Sequence, residues 1–174
     1  MTGVSRAEAI ATLEDGHARV RDLLAGRPER TLTRPGTIGG GDWSAKDLIA
    51  HLCWWEEIAL RSLEEWRAGG RPWIEEVFVD GAEGIDRINA EDMDRKTALS
   101  LQEVRSLAES VHRRLVTAIR DTGDEQWTAK ARYEAPRRDR LGELLGSVLG
   151  APKRPFGHAF AHLPDLQAFV ASLA

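Results

Sequence analysis

DWSAKDLIAHLCWWEEIALRSLEEW, residues 42–66, repeats its apolar residues at the interval of an α-helix and not of a strand. Leu48, His51, Leu52, Trp55, Ala59, Leu63 and Trp66 form one stripe spaced by three or four residues. Ser44 precedes the stripe as an N-cap, and Asp47 places a negative charge against the positive helix end. Gly69 and Gly70 stop it. About 24 helical residues span roughly 36 Å, the length of a bundle rod and too long for a connector.

Upstream, Ser5 and Glu8 have capping-box spacing, and Ile10, Leu13, His17, Val20 and Leu24 continue a helical stripe. A first helix is therefore expected over residues 5–25, ended by Gly26 and Pro28. RPERTLTRPGTIGGGD, residues 27–42, is rich in Pro, Gly and Thr without an apolar period and is expected to be a long loop. Downstream, GGRPWIEEVFVDGAEG, residues 69–84, reads as an apolar loop across the bundle mouth. A third helix opens near Ile85, and a second capping box, Ser100 with Glu103, makes the chain restart there. Val104, Ala108, Val111, Leu115 and Ile119 keep the period until Gly123. A polar connection around Trp127 and Tyr133 leads to a short helix over 140–149. The last helix is expected to open at Pro155 and bend at Pro164, which lacks an N–H and crowds the carbonyl four residues back. With no period-2 segment and no long repeat, the chain reads as all-α: a four-helix bundle with long loops and one or two short extra helices, in one domain over 1–174.

The 174 residues suit one domain, and no apolar run approaches the ~18 residues of a membrane span. MTGVSRAEAIATLEDG lacks the basic start and apolar core of a secretory signal, so a cytoplasmic protein is expected. A net charge of −4 opposes a general polyanion-binding surface, and nucleic acid is an unfavoured partner. Arg137, Arg138 and Arg140 read as a solvated helix start. The single cysteine, Cys53, excludes an internal disulfide and is assigned a structural role.

His158 and His162 are four apart, so on a helix both imidazoles share a face and can chelate one ion. The intervening AFA holds no glutamate base, which disfavours a metalloprotease. Alternatively, the pair is simply packed or exposed. His51 lies on the apolar stripe, where a buried imidazole needs a partner. Either it is a ligand whose tautomer Asp47 sets, or it is a core histidine hydrogen-bonded to Asp47.

DWSAKDLIAHLCWWEE, residues 42–57, together with HAFAH, residues 158–162, resembles the signature of the DinB-like four-helix bundles. RPWIEEVF, residues 71–78, and IDRINAEDMDRKTALSLQEV, residues 85–104, are more specifically similar to the ClbS/DfsB branch, which carries an asparagine, here Asn89, in such a segment. The proline-rich PKRPFGHAFAHLPDL, residues 152–166, departs from the uninterrupted last helix of that pattern. The resemblance implies a three-histidine metal site of His51, His158 and His162. It would take a divalent ion, zinc or nickel first, although some members lack metal. It also implies catalytic roles at His51 and Asn89, a possible homodimer, and a small-molecule electrophile as partner.

The implied function is detoxification or self-resistance by adding water or a thiol to a reactive electrophile, as a metal-dependent hydrolase or thiol transferase. The alternatives are an isomerase or S-transferase using a low-molecular-weight thiol of the mycothiol type, and a non-catalytic protein that sequesters a drug. Glu56 and Glu57 are candidate proton carriers. Trp54, Trp55, Trp73 and Phe78 are the candidate substrate wall, with ordinary core packing as the competing reading.

Overall fold

The structure is a computed structural model describing residues 3–39, 41–134 and 136–173. Met1, Thr2, Gly40, Ala135 and Ala174, which the expected domain, loop and connection included, lie outside the described residues. Four helices make the frame: α1 (Arg6–Leu24), α3 (Ala45–Arg67), α6 (Leu101–Arg120) and α9 (His158–Ala171). Between them run α2 (Glu29–Leu32), α4 (Ile74–Val79), α5 (Gly81–Thr97), α7 (Asp124–Thr128) and α8 (Leu141–Val148). Among the described residues there is no strand, only isolated bridges at Ile38–Trp43, Lys130–Arg140 and Ala151–Arg154. No described helix is long and apolar enough to cross a membrane.

The helix starts follow the local chemistry. Ser5, Ser44 and Ser100 each accept from the third backbone N–H of their helix, and Glu8, Asp47 and Glu103 reach back to the cap. The all-α class holds, but the connections carry more helix than expected. The loop at 27–42 contains α2, the segment at 69–84 contains α4 and the start of α5, and the connection near Trp127 contains α7. In α4 the apolar Ile74 and Val77 are buried three residues apart, a helical interval within a stretch too short to show a period.

The end of the chain also differs. Helix α9 opens at His158 and not at Pro155, and continues through Pro164 to Ala171. Pro152 lies within, and Pro155 directly after, a tight turn in which Ala151 and Arg154 exchange backbone hydrogen bonds of 2.9 Å. That turn returns the chain so that the His158 N–H donates to Leu149 O at 2.9 Å, fastening the first residue of α9 to the end of α8.

Helix α3 is central, packing against α5, α6, α8 and α9, while α1 packs against α6 and α9. One apolar cluster gathers Ile58, Leu63, Val111, Leu115, Leu144 and Phe156; a second gathers Leu24, Leu48, Leu163, Leu166 and Phe169. Gly16 lets α1 approach α9, since a Cβ there would stand 3.0 Å from Ala159 Cβ and 3.2 Å from Phe160 Cε2. Helix α5 has few apolar residues and is tied to α3 by charge. Lys96, 4% exposed, lies 3.1 Å from Glu57 and 3.2 Å from Asp92 and donates to Ala50 O.

Candidate metal centre and the adjoining cavity

The stripe of α3 carries His51 inward, where it is 5% exposed, and the first turns of α9 bring His158 and His162 to the same point. His51 Nε2 lies 3.1 Å from His158 Nε2, which lies 3.2 Å from His162 Nε2. One ligand atom from each histidine falls within 4.8 Å of the other two. The rings meet edge-on, with His51 to His158 and His162 centroids 4.9 and 5.2 Å apart. Trp43 packs 4.9 Å from the His51 ring and Trp55 5.7 Å from the His158 ring, so indoles flank the cluster.

Burial, and then the neighbouring imidazoles, push His51 down to about 2 and His158 to about 3. Burial also lowers His162, opposed by Asp165. All three rings are therefore neutral near pH 7. Three neutral imidazoles with convergent nitrogens suit a borderline divalent ion such as zinc, whose protein ligands are commonly histidines with ~2.0–2.1 Å bonds. The donor set fits such an ion.

A cavity of about 600 Å³ opens beside the cluster, between α1, α3 and α6. His158 lines it, and Leu13, Ile49, Leu52, Leu149 and Phe156 give it an apolar wall. Glu56 and His17 line the same space.

The remaining expected residues go elsewhere. Asp47 does not orient His51: its carboxylate accepts from the Ser44 N–H and hydroxyl at 2.8 and 2.7 Å, so the helix cap takes the oxygen that the imidazole was expected to use. Glu57 is committed to Lys96, and Glu56 accepts from His112 Nδ1 at 2.9 Å. Asn89 accepts from the Trp55 indole at 3.1 Å, joining α5 to α3. Trp54 stacks against Arg95 and Trp73 against Arg61, with cation-to-centroid distances of 4.9 and 4.5 Å. Phe78 packs against the main core. Trp54, Trp55, Trp73 and Phe78 do not line the cavity; its aromatic wall residue is Phe156. The expected tryptophan wall is therefore replaced by aliphatic side chains, because the indoles are engaged elsewhere: Trp54 with Arg95, Trp55 with Asn89 and Trp73 with Arg61.

The sequence marks no site role for His17, His112 or Trp43. His17 sits in the stripe of α1 and His112 beside Val111 on the buried face of α6. Each has the helical position of a core residue, and only the facing of α1 against α6 brings them together.

Three comparisons bear on this arrangement. A family model described as the DinB superfamily matches residues 12–164. Among curated proteins none matches by sequence. Solved structures share the fold at low identity. One is a protein from Escherichia coli UTI89, with a TM-score of 0.74 and 14% identity over 97% of this chain and 94% of that one. Another is the colibactin self-resistance protein ClbS in complex with double-stranded DNA, with a TM-score of 0.71 and 15% identity over 96% of this chain and 98% of that one. A third, from Streptococcus pneumoniae, has a TM-score of 0.68 and 15% identity over 98% of this chain and 94% of that one.

Proposed function

This chain belongs to the DinB superfamily, and from that premise we propose that it is a detoxification or self-resistance enzyme that adds water or a small thiol to a reactive electrophilic molecule at His51, His158 and His162. The observation that carries the reading is the convergence of three imidazole Nε2 atoms from α3 and α9 at the edge of an apolar cavity. A divalent ion held there, zinc or nickel first, would supply Lewis acidity, making water or a thiol nucleophilic near neutral pH. The protein's own groups do the rest. His51 and its flanking indoles, Trp43 and Trp55, exclude solvent behind the cluster. His158 presents the other side to the cavity, where Leu52, Leu149 and Phe156 hold an apolar body.

The test is elemental analysis of the purified protein beside a His51→Ala variant, followed by mass spectrometry of electrophilic probes such as epoxides. Bound metal in the wild type, lost in the variant together with conversion of the probe, is the expected result; equal metal content in the two overturns it. Conversion that appears only with added thiol assigns the chain to the thiol-dependent transferases or isomerases.

The size of the cavity favours one further reading, sequestration of a drug without chemistry. Tight binding of a ligand recovered unchanged, with no turnover of any probe, would select it.

A further inference from the structure

The shape and charge of the cavity beside the three histidines narrow what it can hold, an inference that rests on the function proposed above. Its wall along α1 runs from Thr12 to Leu24, about 18 Å of helix axis. Spread over that length, a volume of about 600 Å³ leaves a cross-section of roughly 33 Å², a trough about 6–7 Å wide. A chain fits such a trough lengthwise, whereas a broad fused-ring system does not. The first turn of α9 meets α1 at Gly16, where Ala159 approaches, so His158 lies toward the Thr12 end. Buried Leu149 and Phe156 line the cavity as well, and exposed Ala25 and Gly26 form its mouth beyond Leu24. Val20, Leu24, Ile49 and Leu52 make the wall aliphatic. Such a wall rewards removal of methylene groups from water and offers no flat face for stacking.

The charges of the lining are already matched among themselves. Arg21 pairs with Asp22 at 3.1 Å. Two positive groups, Arg105 and Arg113, then stand against two negative ones, Glu56 and Glu109. Both carboxylates are hydrogen-bonded, Glu56 Oε1 lying 2.9 Å from His112 Nδ1 and Glu109 Oε1 3.1 Å from His17 Nε2. An ionic group on the ligand would lose water without gaining an unmatched partner, so a neutral ligand is favoured.

We propose that the substrate of the three-histidine centre is an uncharged aliphatic electrophile, such as a terminal alkyl epoxide. Its reactive carbon lies at His158 and its chain runs along α1 toward Ala25. Water forms a bond to an epoxide carbon, the carbon–oxygen bond breaks, and the freed oxygen gains a proton as the added water loses one, yielding a diol.

Unreactive 1-alkanols of four to twelve carbons, titrated calorimetrically into the full-length chain, test the recognition by itself. Affinity is expected to rise about fourfold per methylene. It should level off near ten carbons, since Gly16 to Leu24 spans about 12 Å and an extended chain advances roughly 1.2 Å per bond. Ala25→Trp, at an exposed position, should keep the wild-type circular dichroism spectrum and bring that ceiling forward by two or more carbons. 1-Pyrenemethanol, broad and uncharged, and decanoate, narrow and charged, should each bind at least tenfold more weakly than 1-decanol. Affinity that ignores chain length, equal binding of either comparison compound, or a ceiling unmoved by Ala25→Trp overturns the proposal. Alkanol binding retained beside equal metal content in wild type and His51→Ala would sink the function proposed above and leave the preference of the cavity standing. Conversion of 1,2-epoxyalkanes should follow the alkanol affinities; conversion indifferent to chain length would show that substrate does not occupy this cavity.

Discussion

Cys53 and His51 are two residues apart on α3 and face different surroundings, which sets what each can do. Burial pushes the Cys53 thiol up to about 12, against the lowering effect of Lys96. Little thiolate is available in the folded protein. A disulfide reagent at about pH 8 is therefore expected to label Cys53 only as fast as the chain unfolds, with prompt labelling under denaturant. Rapid labelling of the native protein would show that the thiol is activated. The structural role read for Cys53 followed from its place two residues beyond His51, roughly 200° around the helix. Spacing put His51 on the apolar stripe and His158 with His162 on one helix face, each with ordinary packing as the competing reading, and the resemblance to the DinB-like bundles implied that the three form one set. The partners of Glu56 and Asn89 were not legible, because a polar side chain near the axis of a bundle has partners on several helices and sequence spacing ranks only those on its own.

Gly16 sets the approach of α1 to α9, the helix that carries His158 and His162. Because a Cβ at that position already meets Ala159 and Phe160, Gly16→Val adds volume where the two helices touch. Overpacking of this kind costs about 1–3 kcal/mol. It should appear as a lower thermal midpoint and, since α9 is displaced, as weaker metal binding; unchanged binding alongside reduced stability would separate the helix contact from the centre. Helix caps were readable before any coordinates, because they are local: Ser5 with Glu8 and Ser100 with Glu103 read as capping boxes and Ser44 as an N-cap, to which the structure adds a box with Asp47. Helix α4 was not, since six residues show too little of a period. The course of residues 150–158 was equally hidden. The bridge between Ala151 and Arg154 and the hydrogen bond from His158 to Leu149 determine where α9 begins, and Pro155 by itself suggested an earlier start.

Assembly of the bundle makes acid a stress on it. The imidazoles of His51 and His158 take up protons near 6.5 when solvated but only near 2 and 3 when folded. Between those values the unfolded chain binds more protons, so stability is full above about pH 6.5 and falls with acidification. Metal-free protein should lose thermal stability between about pH 7 and 5, and a His158→Phe variant should lose less over that interval. Parallel profiles would mean that the histidines are not buried neutral. The net charge of −4 gives a second expectation at this scale. Labelled duplex DNA should bind weakly and be released by moderate salt; tight binding at about 0.15 M salt would show that the arginines form a phosphate-binding face. From residue order alone came the helices with long stripes, the all-α class and the shared face of His158 and His162, since each depends on interactions between residues a turn or two apart; His51 joined that pair only through the resemblance to the DinB-like bundles. Which stripes face one another was decided only in three dimensions. The packing of α1 against α6 opposed His17 to His112 and left an aliphatic cavity in place of a tryptophan one. Contacts between helices far apart along the chain arise from the sum of many side-chain volumes, and no local spacing encodes that sum.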